Sequence, residues 1–514
     1  MARINNSIRN LVTSLTGQFL TVILGFASRT VFINTLGEQY LGVNGLFGNI
    51  INMLSLSELG IGTAIIYSLY KPIADSNQKE IYLLMKFYKI AYRIIGLIVA
   101  VLGLLMTPFL TYLIKDMPPL VNIYLIFSLF LVQNLSSYFF FAYKSALLRA
   151  HQKQYIITVV GYVFVIISNI AQILVLYYLN NYLLYLLVVI IFQILQNFII
   201  SQKVNQMYPY INEKSKHRIS KQKAQEILRN CYALFLLRIN AIVLNATDNL
   251  VLSGFVGLSA VGLYSNYILI TSHIRNILSL FYSSITASLG NLHTFGDTNH
   301  EVLVFQITNF LAFLFYGVAS IGIFIAANPF IELWIGADFL LPMPFVFLLS
   351  IDLYLNGIKK VSTTFRDSMG LFLHAKYRPL VGAVINLVLS VVLVKPLGIT
   401  GIILGTVIAN LTTYFWLDPK IVFNKGFHRS SSIYYIKNGL YLLVLGVTGF
   451  LVYWLVPLIK LEGWLRVFAL TVLCVALPSA IFLAVFWRQQ ETRYLVDLFK
   501  KLIWTRFKNT LLKK

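Results

Sequence analysis

The sequence has little charge, few acidic residues and almost no cysteine for a chain of its length. Only 11% of its 514 residues are charged, 18 are Asp or Glu, and two are cysteines. A soluble protein of this size carries about 25% charged residues. Cys231 and Cys474 lie far apart in apolar runs, which excludes a disulfide framework and a paired-cysteine metal site. The composition therefore excludes an ordinary soluble domain.

Sequence motifs of the common enzyme classes are also missing. The chain has no Gly-rich loop ending in Lys-Ser/Thr, no GxSxG, no HExxH and no CxxC. Its seven histidines are spread over loops, span ends and one apolar run, without the spacing of a metal site. We therefore expect no enzyme, no catalytic residue, no metal and no cofactor.

Long apolar runs are what the chain has in excess. It is 58% hydrophobic, and windows of about 20 residues, each sufficient to cross roughly 30 Å of hydrocarbon, recur from end to end. Alternating segments of about 10 residues, typical of a membrane barrel, do not occur. The pattern predicts an all-α polytopic membrane protein with about 14 transmembrane helices. The predicted spans lie near 11–36, 40–70, 87–113, 120–143, 155–179, 182–202, 230–256, 259–290, 302–327, 343–365, 379–394, 400–417, 438–458 and 464–487.

Basic residues are distributed unevenly over these spans. Of the 41 Lys and Arg, 34 lie on one predicted side and four on the other. The segments that contain these 34 basic residues are the N-terminus, 71–93, 144–153, 203–229, 359–378, 418–437 and 488–514. Positively charged loops stay in the cytoplasm, so both termini are predicted to be cytoplasmic. The net charge of +23 then mostly reflects the basic residues that orient the spans in the membrane, and we expect no nucleic-acid partner.

A weak internal repeat divides the chain. A shift of 220 residues places Gly37 on Gly257 and Leu41-Gly42 on Val261-Gly262. Six spans separate the copies, which predicts two six-helix bundles starting on the same side of the membrane around a central cavity. The predicted divisions are an N-terminal six-helix bundle (1–202), a basic cytoplasmic linker (203–229), a C-terminal six-helix bundle (230–417), two additional helices (418–487) and a basic cytoplasmic tail (488–514). The tail is interpreted as an amphipathic helix on the inner leaflet, with a frayed basic tail as the alternative.

Arg29 lies in the apolar run Leu11–Leu36, which holds no other charge. An arginine near mid-membrane costs roughly 2.5–3.5 kcal/mol and usually faces a partner or a water-filled cavity. Polar residues at helical spacing follow the first, second, seventh and eighth spans. The candidate substrate-binding residues among them are Arg29, Arg275, Arg238, Gln18, Asn52 and Asn245. A guanidinium can form two parallel hydrogen bonds with a phosphate group. Several arginines around one cavity therefore predict a diphosphate ligand.

Two other interpretations of these polar residues are open. Serine, asparagine and glycine stripes commonly pack helices together by close approach and hydrogen bonding. Arg238 is close enough to the start of its span to extend towards the cytoplasm.

Three acidic residues also lie in apolar spans. Glu58, Asp248 and Asp352 are candidates for coupling transport to Na⁺ or H⁺. Each also has a structural alternative as a counter-ion. Glu58 is placed to neutralise Arg29, and Asp352 shares a helical face with Asn356 and Lys359, which favours pairing within its own helix.

The segment Arg29–Pro72 resembles the N-terminal signature of bacterial polysaccharide flippases. The resemblance rests on LG-x-x-x-LG (Leu36–Gly42), LSLSELGIG (Leu54–Gly62) and LYKP (Leu69–Pro72). These flippases form the Wzx-type branch of the multidrug/oligosaccharidyl-lipid/polysaccharide (MOP) exporter superfamily.

The resemblance implies a function and a location. A lipid-linked oligosaccharide, carried on undecaprenyl diphosphate, would cross from the inner to the outer leaflet of a bacterial plasma membrane by alternating access. Capsule, exopolysaccharide and teichoic-acid assembly are the implied pathways. Membrane lipids, a polysaccharide polymerase and chain-length machinery are the expected partners. Coupling to Na⁺, H⁺ or the membrane potential is left open by the buried acids.

The resemblance also assigns residue roles. Related lipid II flippases use cavity arginines of the first, second and eighth helices on the diphosphate. Arg29 and Arg275 match two of these positions, whereas the second span has no internal arginine and carries Glu58 instead.

Two alternative functions make different demands on the sequence. A multidrug exporter of the same superfamily needs an acidic cavity for cationic drugs, against which the buried arginines argue. A polysaccharide polymerase, which is an enzyme, needs a large external loop bearing Arg or His. The predicted external loops, such as Asn180–Asn181, are too short for it.

Overall fold

The computed structural model of the chain is helical nearly throughout, and its described residues contain no strand. It describes residues 2–55, 61–114, 122–212, 219–293, 298–375 and 377–497. Within these ranges, the side chains of 2–16, 19, 63, 226, 230, 232–246, 280–293 and 372–373 are not described. The chain divides into two compact units, residues 1–265 and 266–514.

Eighteen α-helices are found in the described residues. The first unit contains α1 (Ala2–Leu36), α2 (Glu38–Leu54), α3 (Ile61–Ala74), α4 (Gln78–Met106), α5 (Leu110–Leu113), α6 (Ile123–Phe139), α7 (Ser145–Ala150), α8 (Gln154–Leu179), α9 (Tyr182–Met207) and α10 (Lys221–Phe255). Helix α11 (Leu258–His293) begins in the first unit and ends in the second. The second unit contains α12 (Thr298–Ile335), α13 (Met343–Ser368), α14 (Arg378–Leu397), α15 (Ile399–Thr412), α16 (Tyr414–Ile421), α17 (Ser432–Leu455) and α18 (Gly463–Val485).

In the described residues, every predicted span coincides with one of these helices or with consecutive ones. In the described part of the chain, eight helices are long and apolar enough to cross a membrane. The number becomes nine when the segment 123–150, bent by 46° between α6 and α7, is taken as one broken span. The all-α multi-pass membrane fold is therefore confirmed. The number of 14 crossings and the cytoplasmic termini stay predictions.

Asparagine side chains cap the N-termini of three helices in the first unit. Asn77, Asn122 and Asn181 accept hydrogen bonds from backbone N–H groups in the first turns of α4, α6 and α9. Such caps satisfy amide groups that have no partner inside the helix. The loop between α8 and α9 is only Asn180–Asn181, as predicted, and Asn180 has a φ of 45° in the left-handed region.

Helices α2 and α11, each preceded by a glycine, pack closely against each other within the first unit. Gly37 precedes α2 and Gly257 precedes α11, with φ values of 82° and 126° that a side chain rarely adopts. One turn further on, Gly42 lies against the carbonyl oxygen of Leu258, and Gly262 lies against the carbonyl oxygen of Glu38. A shift of 220 residues converts each contact into the other. The geometry therefore repeats where the sequence does.

Helices α17 and α18 pack against α12 within the second unit. The ring of Phe313 in α12 stacks on Tyr441 of α17 with centroids 4.4 Å apart, and it meets Phe482 of α18 at 4.5 Å. Glu491, which follows α18 in the chain and is only 2% exposed, forms an ion pair with Lys437 of α17. Most of the predicted amphipathic tail, residues 498–514, lies outside the described residues.

The helices extend into the predicted linker 203–229. Helix α9 continues to Met207, and α10 begins at Lys221 after a cap by the Ser220 side chain. Lys223 in the first turn of α10 forms an ion pair with Glu80 in the first turn of α4. The division into two six-helix bundles, a linker, two further helices and a tail stays a prediction.

Candidate functional site

The Arg29 guanidinium is held within the first unit by the start of α11. Its Nη2 donates a hydrogen bond to Ser265 Oγ, and the Ser265 hydroxyl donates to the carbonyl oxygen of Gly262 at 2.7 Å. The Tyr185 side chain of α9 is close enough to interact electrostatically with Arg29. The partners of Arg29 thus come from helices far apart in the sequence, and they orient a cation inside an apolar span.

Aromatic rings surround the Arg29 turn of α1. Phe32 packs edge-on against Tyr185 at 5.2 Å and Tyr182 at 5.9 Å. Tyr182 also meets Tyr40 at 5.0 Å and donates its hydroxyl hydrogen to Asn44 Oδ1 at 2.8 Å. The rings offer flat apolar faces, and their hydroxyl groups supply polar atoms beside the guanidinium.

Asp248 and Asn249 are adjacent buried polar residues of α10, at 7% and 9% exposure. The Tyr264 hydroxyl of α11 donates to Asp248 Oδ2 at 3.5 Å, a long hydrogen bond. By the 220-residue shift, Asn249 is the equivalent of Arg29. The second copy therefore has an amide where the first has a guanidinium.

The remaining candidates of the first unit fall into two groups. Gln18 is half-buried on α1, and Asn52 is exposed near the end of α2. Gln18 lies 11 residues before Arg29, three helical turns away on the same face. Glu58 lies outside the described residues, and so do the side chains of Arg238 and Asn245.

In the second unit, Arg275 of α11 faces Asp352 of α13. Arg275 Nη1 and Asp352 Oδ2 are 3.7 Å apart, and their side chains are 32% and 8% exposed. Asp352 also accepts hydrogen bonds from Asn356 Nδ2 at 2.9 Å and Asn410 Nδ2 at 3.2 Å. The predicted pairing within α13 thus occurs through Asn356, while two other helices supply the remaining partners.

Lys359 continues this polar cluster towards α15 and α16. Its Nζ donates to Asn410 Oδ1 at 3.3 Å and lies 3.7 Å from the ring centroid of Tyr414. The sequence assigned Lys359 to the cytoplasmic charges, but its Nζ lies inside the helix cluster. Asn410 therefore connects Lys359 with Asp352, because its amide group donates to one and accepts from the other.

Two arginines and a carboxylate lie beyond Tyr414. The Arg378 guanidinium carbon stands 4.2 Å from the Tyr414 ring centroid, and its Nη1 forms an ion pair with Asp418 Oδ1. Arg366 Nη1 donates to the same oxygen at 2.8 Å, and its Nη2 donates to Asp367 Oδ1 at 2.6 Å. Asp418 has no exposed surface, so these charges form a structural cluster rather than a solvated face.

The sequence did not identify this second cluster. The charge pattern places Arg366 and Arg378 among the positive-inside residues and indicates no partner for Asp418. An acid at the end of the apolar run 400–417, next to Pro419, was the one available signal. Spacing within one helix could not indicate which cation would reach it.

The chemistry of the two arginines differs. Arg29 donates a hydrogen bond to a hydroxyl group, which is a neutral oxygen. Arg275 stands 3.7 Å from a carboxylate, a separation at which the pair is electrostatic rather than hydrogen-bonded. Both can donate to an anionic oxygen, and Asp352 competes with such a ligand only at Arg275.

Units of long apolar helices with charged side chains inside them define a multi-pass membrane protein. Its fold is similar to the folds of several solved membrane transporters. It is similar to a lipid II flippase, MurJ, in an inward closed conformation, with a TM-score of 0.67 and 15% identity over 93% of this chain and 99% of that one.

Two multidrug transporters have a similar fold. An inward-facing MATE family transporter of the MOP superfamily matches with a TM-score of 0.60 and 14% identity, over 80% of this chain and 98% of that one. A mutant of the Vibrio cholerae MATE transporter VcmN matches at 0.53 and 15% identity, over 81% and 96%. Comparisons with protein-family models and with curated proteins find no match.

Proposed function

We propose that the chain is a flippase that moves a lipid-linked oligosaccharide, carried on a polyprenyl diphosphate, from the inner to the outer leaflet of a bacterial plasma membrane. The observation that carries the proposal is Arg29, a guanidinium held in an apolar span by the neutral Ser265 hydroxyl. A guanidinium inside an apolar span can bind an anionic oxygen through two N–H groups. The diphosphate of a lipid carrier is such a ligand at membrane depth.

Three further features support the proposal. Tyr182, Tyr185 and Tyr40 provide rings and hydroxyl groups next to Arg29, which suits a sugar next to a phosphate. Arg275 provides a second membrane-embedded guanidinium. The similarity to the lipid II flippase also extends over 93% of the chain, against 80% and 81% for the multidrug transporters.

Export of a small cation is the second candidate function. Its supporting observation is that two buried acids, Asp248 and Asp352, each accept a hydrogen bond from a neutral donor. An acid in such a setting can take up H⁺ or Na⁺ during transport. For a cationic substrate, however, Arg29 would be repulsive.

A reconstituted flipping assay tests the proposal. The protein is placed in proteoliposomes with a fluorescent undecaprenyl-diphosphate-linked N-acetylglucosamine, and a membrane-impermeant quencher reports the outer leaflet. We expect Arg29→Ala to reduce the rate at least about tenfold, because a hydrogen bond to a charged group contributes about 1.5–3 kcal/mol. Arg29→Lys should retain part of the rate, because it keeps the charge and loses the fork.

The matched control is Arg466→Ala at the exposed start of α18, which removes the same charge and should leave the rate unchanged. Flipping that continues at the normal rate in Arg29→Ala contradicts the proposal. Efflux of the cation ethidium by the same vesicles, without lipid flipping, supports the second candidate instead.

A further inference from the structure

A basic cavity of about 560 Å³ lies in the first unit, away from Arg29 and its partners. Three of its basic residues, Lys86, Lys89 and Arg93, come from α4, and the fourth is Lys144 next to the bend between α6 and α7. None of the described residues that line it is acidic. We call these four residues and the space between them the basic pocket.

The pocket is built rather than a chance group of surface lysines. Lys86, Lys89 and Arg93 follow each other at steps of three and four residues, so they share one face of α4. Lys144 is only 5% exposed, and its Nζ donates to Asn205 Oδ1 of α9 at 2.6 Å. Lys89 is close enough to Lys144 to interact with it electrostatically. Like charges converging on a concave site attract an anion.

The depth of the pocket places it at the level of the lipid headgroups. Helix α4 and its continuation through α5 are 36 residues long, whereas about 20 residues suffice to cross the hydrocarbon. The pocket lies in the first half of α4, near the end of α9. Both segments border loops predicted to be cytoplasmic, so the pocket faces the inner leaflet.

An apolar surface begins at the edge of the pocket. Ile90 lines the pocket and is 51% exposed, and it is followed along α4 by Ile94 at 54% and Leu97 at 62%. Exposed aliphatic side chains on a membrane-spanning helix contact acyl chains. A ligand with a phosphate head and two hydrocarbon tails would therefore fit both surfaces at once, which a soluble phosphate would not.

We propose that the basic pocket binds the phosphate headgroup of an anionic phospholipid of the inner leaflet, with its acyl chains along the exposed face of α4. Basic pockets between membrane helices on the cytoplasmic side are suited to such headgroups. The proposal does not depend on the transported substrate, because none of the residues assigned to transport lines this pocket.

The test is lipid retention measured by native mass spectrometry of the full chain. The protein is released from nanodiscs made with phosphatidylglycerol or with phosphatidylcholine. We expect bound phosphatidylglycerol and no retained phosphatidylcholine. In the triple variant Lys86→Gln, Lys89→Gln, Arg93→Gln, the affinity for phosphatidylglycerol should fall about 100-fold, because three charges near the lipid surface are lost.

A second triple variant controls for net charge. Lys420→Gln, Lys425→Gln and Arg488→Gln remove the same three charges from exposed positions that are also predicted to be cytoplasmic. This control should retain the lipid. Equal loss in both triple variants, or equal retention of the two lipids, overturns the proposal. Complete displacement by inorganic phosphate also overturns it, because a soluble phosphate would then be the ligand.

A single variant covers the case in which the pocket variant fails to fold. Arg93 is exposed, so Arg93→Glu reverses a pocket charge without changing buried packing. It should lower phosphatidylglycerol retention while the thermal unfolding temperature in phosphatidylcholine stays unchanged. The conservative triple variant Lys86→Arg, Lys89→Arg, Arg93→Lys keeps the three charges and should retain phosphatidylglycerol as the unmodified protein does. Unchanged retention in Arg93→Glu contradicts the proposal.

Discussion

Gly42 and Gly262 occupy equivalent places 220 residues apart, and each packs its bare Cα against a backbone carbonyl of the other's segment. A β-carbon at Gly42 would overlap the carbonyl oxygen of Leu258, and one at Gly262 would overlap that of Glu38. Neither obstacle is a flexible side chain, so relief requires the helices to separate. Membrane helices commonly use small residues for such close approach.

Gly42→Ala should therefore destabilise the first unit by about 1–3 kcal/mol, the usual cost of overpacking. The expected result is a lower unfolding temperature in detergent and a lower amount of protein in the membrane. The matched control is Gly48→Ala in the same helix, where nothing lies within 4 Å of the added carbon. That variant should be neutral or slightly stabilising, because alanine favours a helix by up to about 1 kcal/mol over glycine. Equal stability of the two variants would show that the helices do not approach so closely.

Asp418 and Asp367 both contact Arg366, but only Asp418 is fully buried. Removing one partner of a buried pair costs about 3–5 kcal/mol, so Asp418→Asn should strongly destabilise the second unit. Asp367, whose side chain is 57% exposed, is the control. Asp367→Asn should cost no more than about 1 kcal/mol, as for other surface pairs. Chemical unfolding in detergent micelles measures both, and similar losses would contradict the assignment of Asp418 as the structural anchor.

Asp352 is expected to weaken anion binding at Arg275. Its carboxylate attracts the same guanidinium, so Asp352→Asn should lower the lipid concentration for half-maximal flipping by up to about fivefold, the effect of a partly exposed ion pair. Arg275→Ala should raise that concentration. The double variant should behave like Arg275→Ala, because the guanidinium that Asp352 attracts is then absent.

The same variants test the coupling hypothesis for Asp352. Flipping is measured with and without a proton or sodium gradient across the proteoliposome membrane. If Asp352→Asn abolishes the gradient dependence and leaves half-maximal lipid concentration unchanged, Asp352 is a coupling residue rather than a counter-ion.

His151 gives the fold a predicted dependence on pH. It stacks on Tyr208 with ring centroids 4.5 Å apart, at the loop between α7 and α8. Burial, and secondly the positive charge of Lys153, lower the pKa of His151 from its ordinary value of 6.5. The folded state therefore keeps the ring neutral at pH values where the unfolded chain already binds a proton.

The contribution of neutral His151 to the free energy of unfolding is fully present above about pH 6.5. It falls as the pH decreases towards the lower pKa of the folded state. The unfolding temperature in detergent should accordingly decrease between about pH 7.5 and about pH 5.5. His151→Gln should make this decrease smaller, whereas His428→Gln, at an exposed position, should not. An identical decrease in His151→Gln would assign the effect to other groups.

The sequence predicted the helices well because one property, an apolar run of sufficient length, decides them. Wherever residues are described, the predicted spans coincide with helices, and the polarity of Asn180–Asn181 alone predicts the two-residue loop. The repeat was visible only at a few positions. Gly37, Gly42 and their equivalents were among them, because a positive φ and a close backbone approach each require glycine.

The candidate site was less accessible to prediction. Helical spacing correctly associated Asp352 with Asn356, since residues four apart share a face. It could not associate Arg29 with Ser265 or Asp352 with Asn410, because those contacts depend on which helices pack together. The positive-inside pattern also could not associate Arg366 and Arg378 with Asp418, because Asp418 lies on another helix.

The Asp418 cluster has a consequence for the order in which the protein is made. Arg366 leaves the ribosome 52 residues before Asp418, which at 5–20 residues per second is an interval of about 3–10 s. During that interval Asp367 is the acidic partner of Arg366 that has already been synthesised. The buried contacts of Arg366 and Arg378 with Asp418 can form only after α16 is synthesised, so this part of the second unit is expected to complete its packing late.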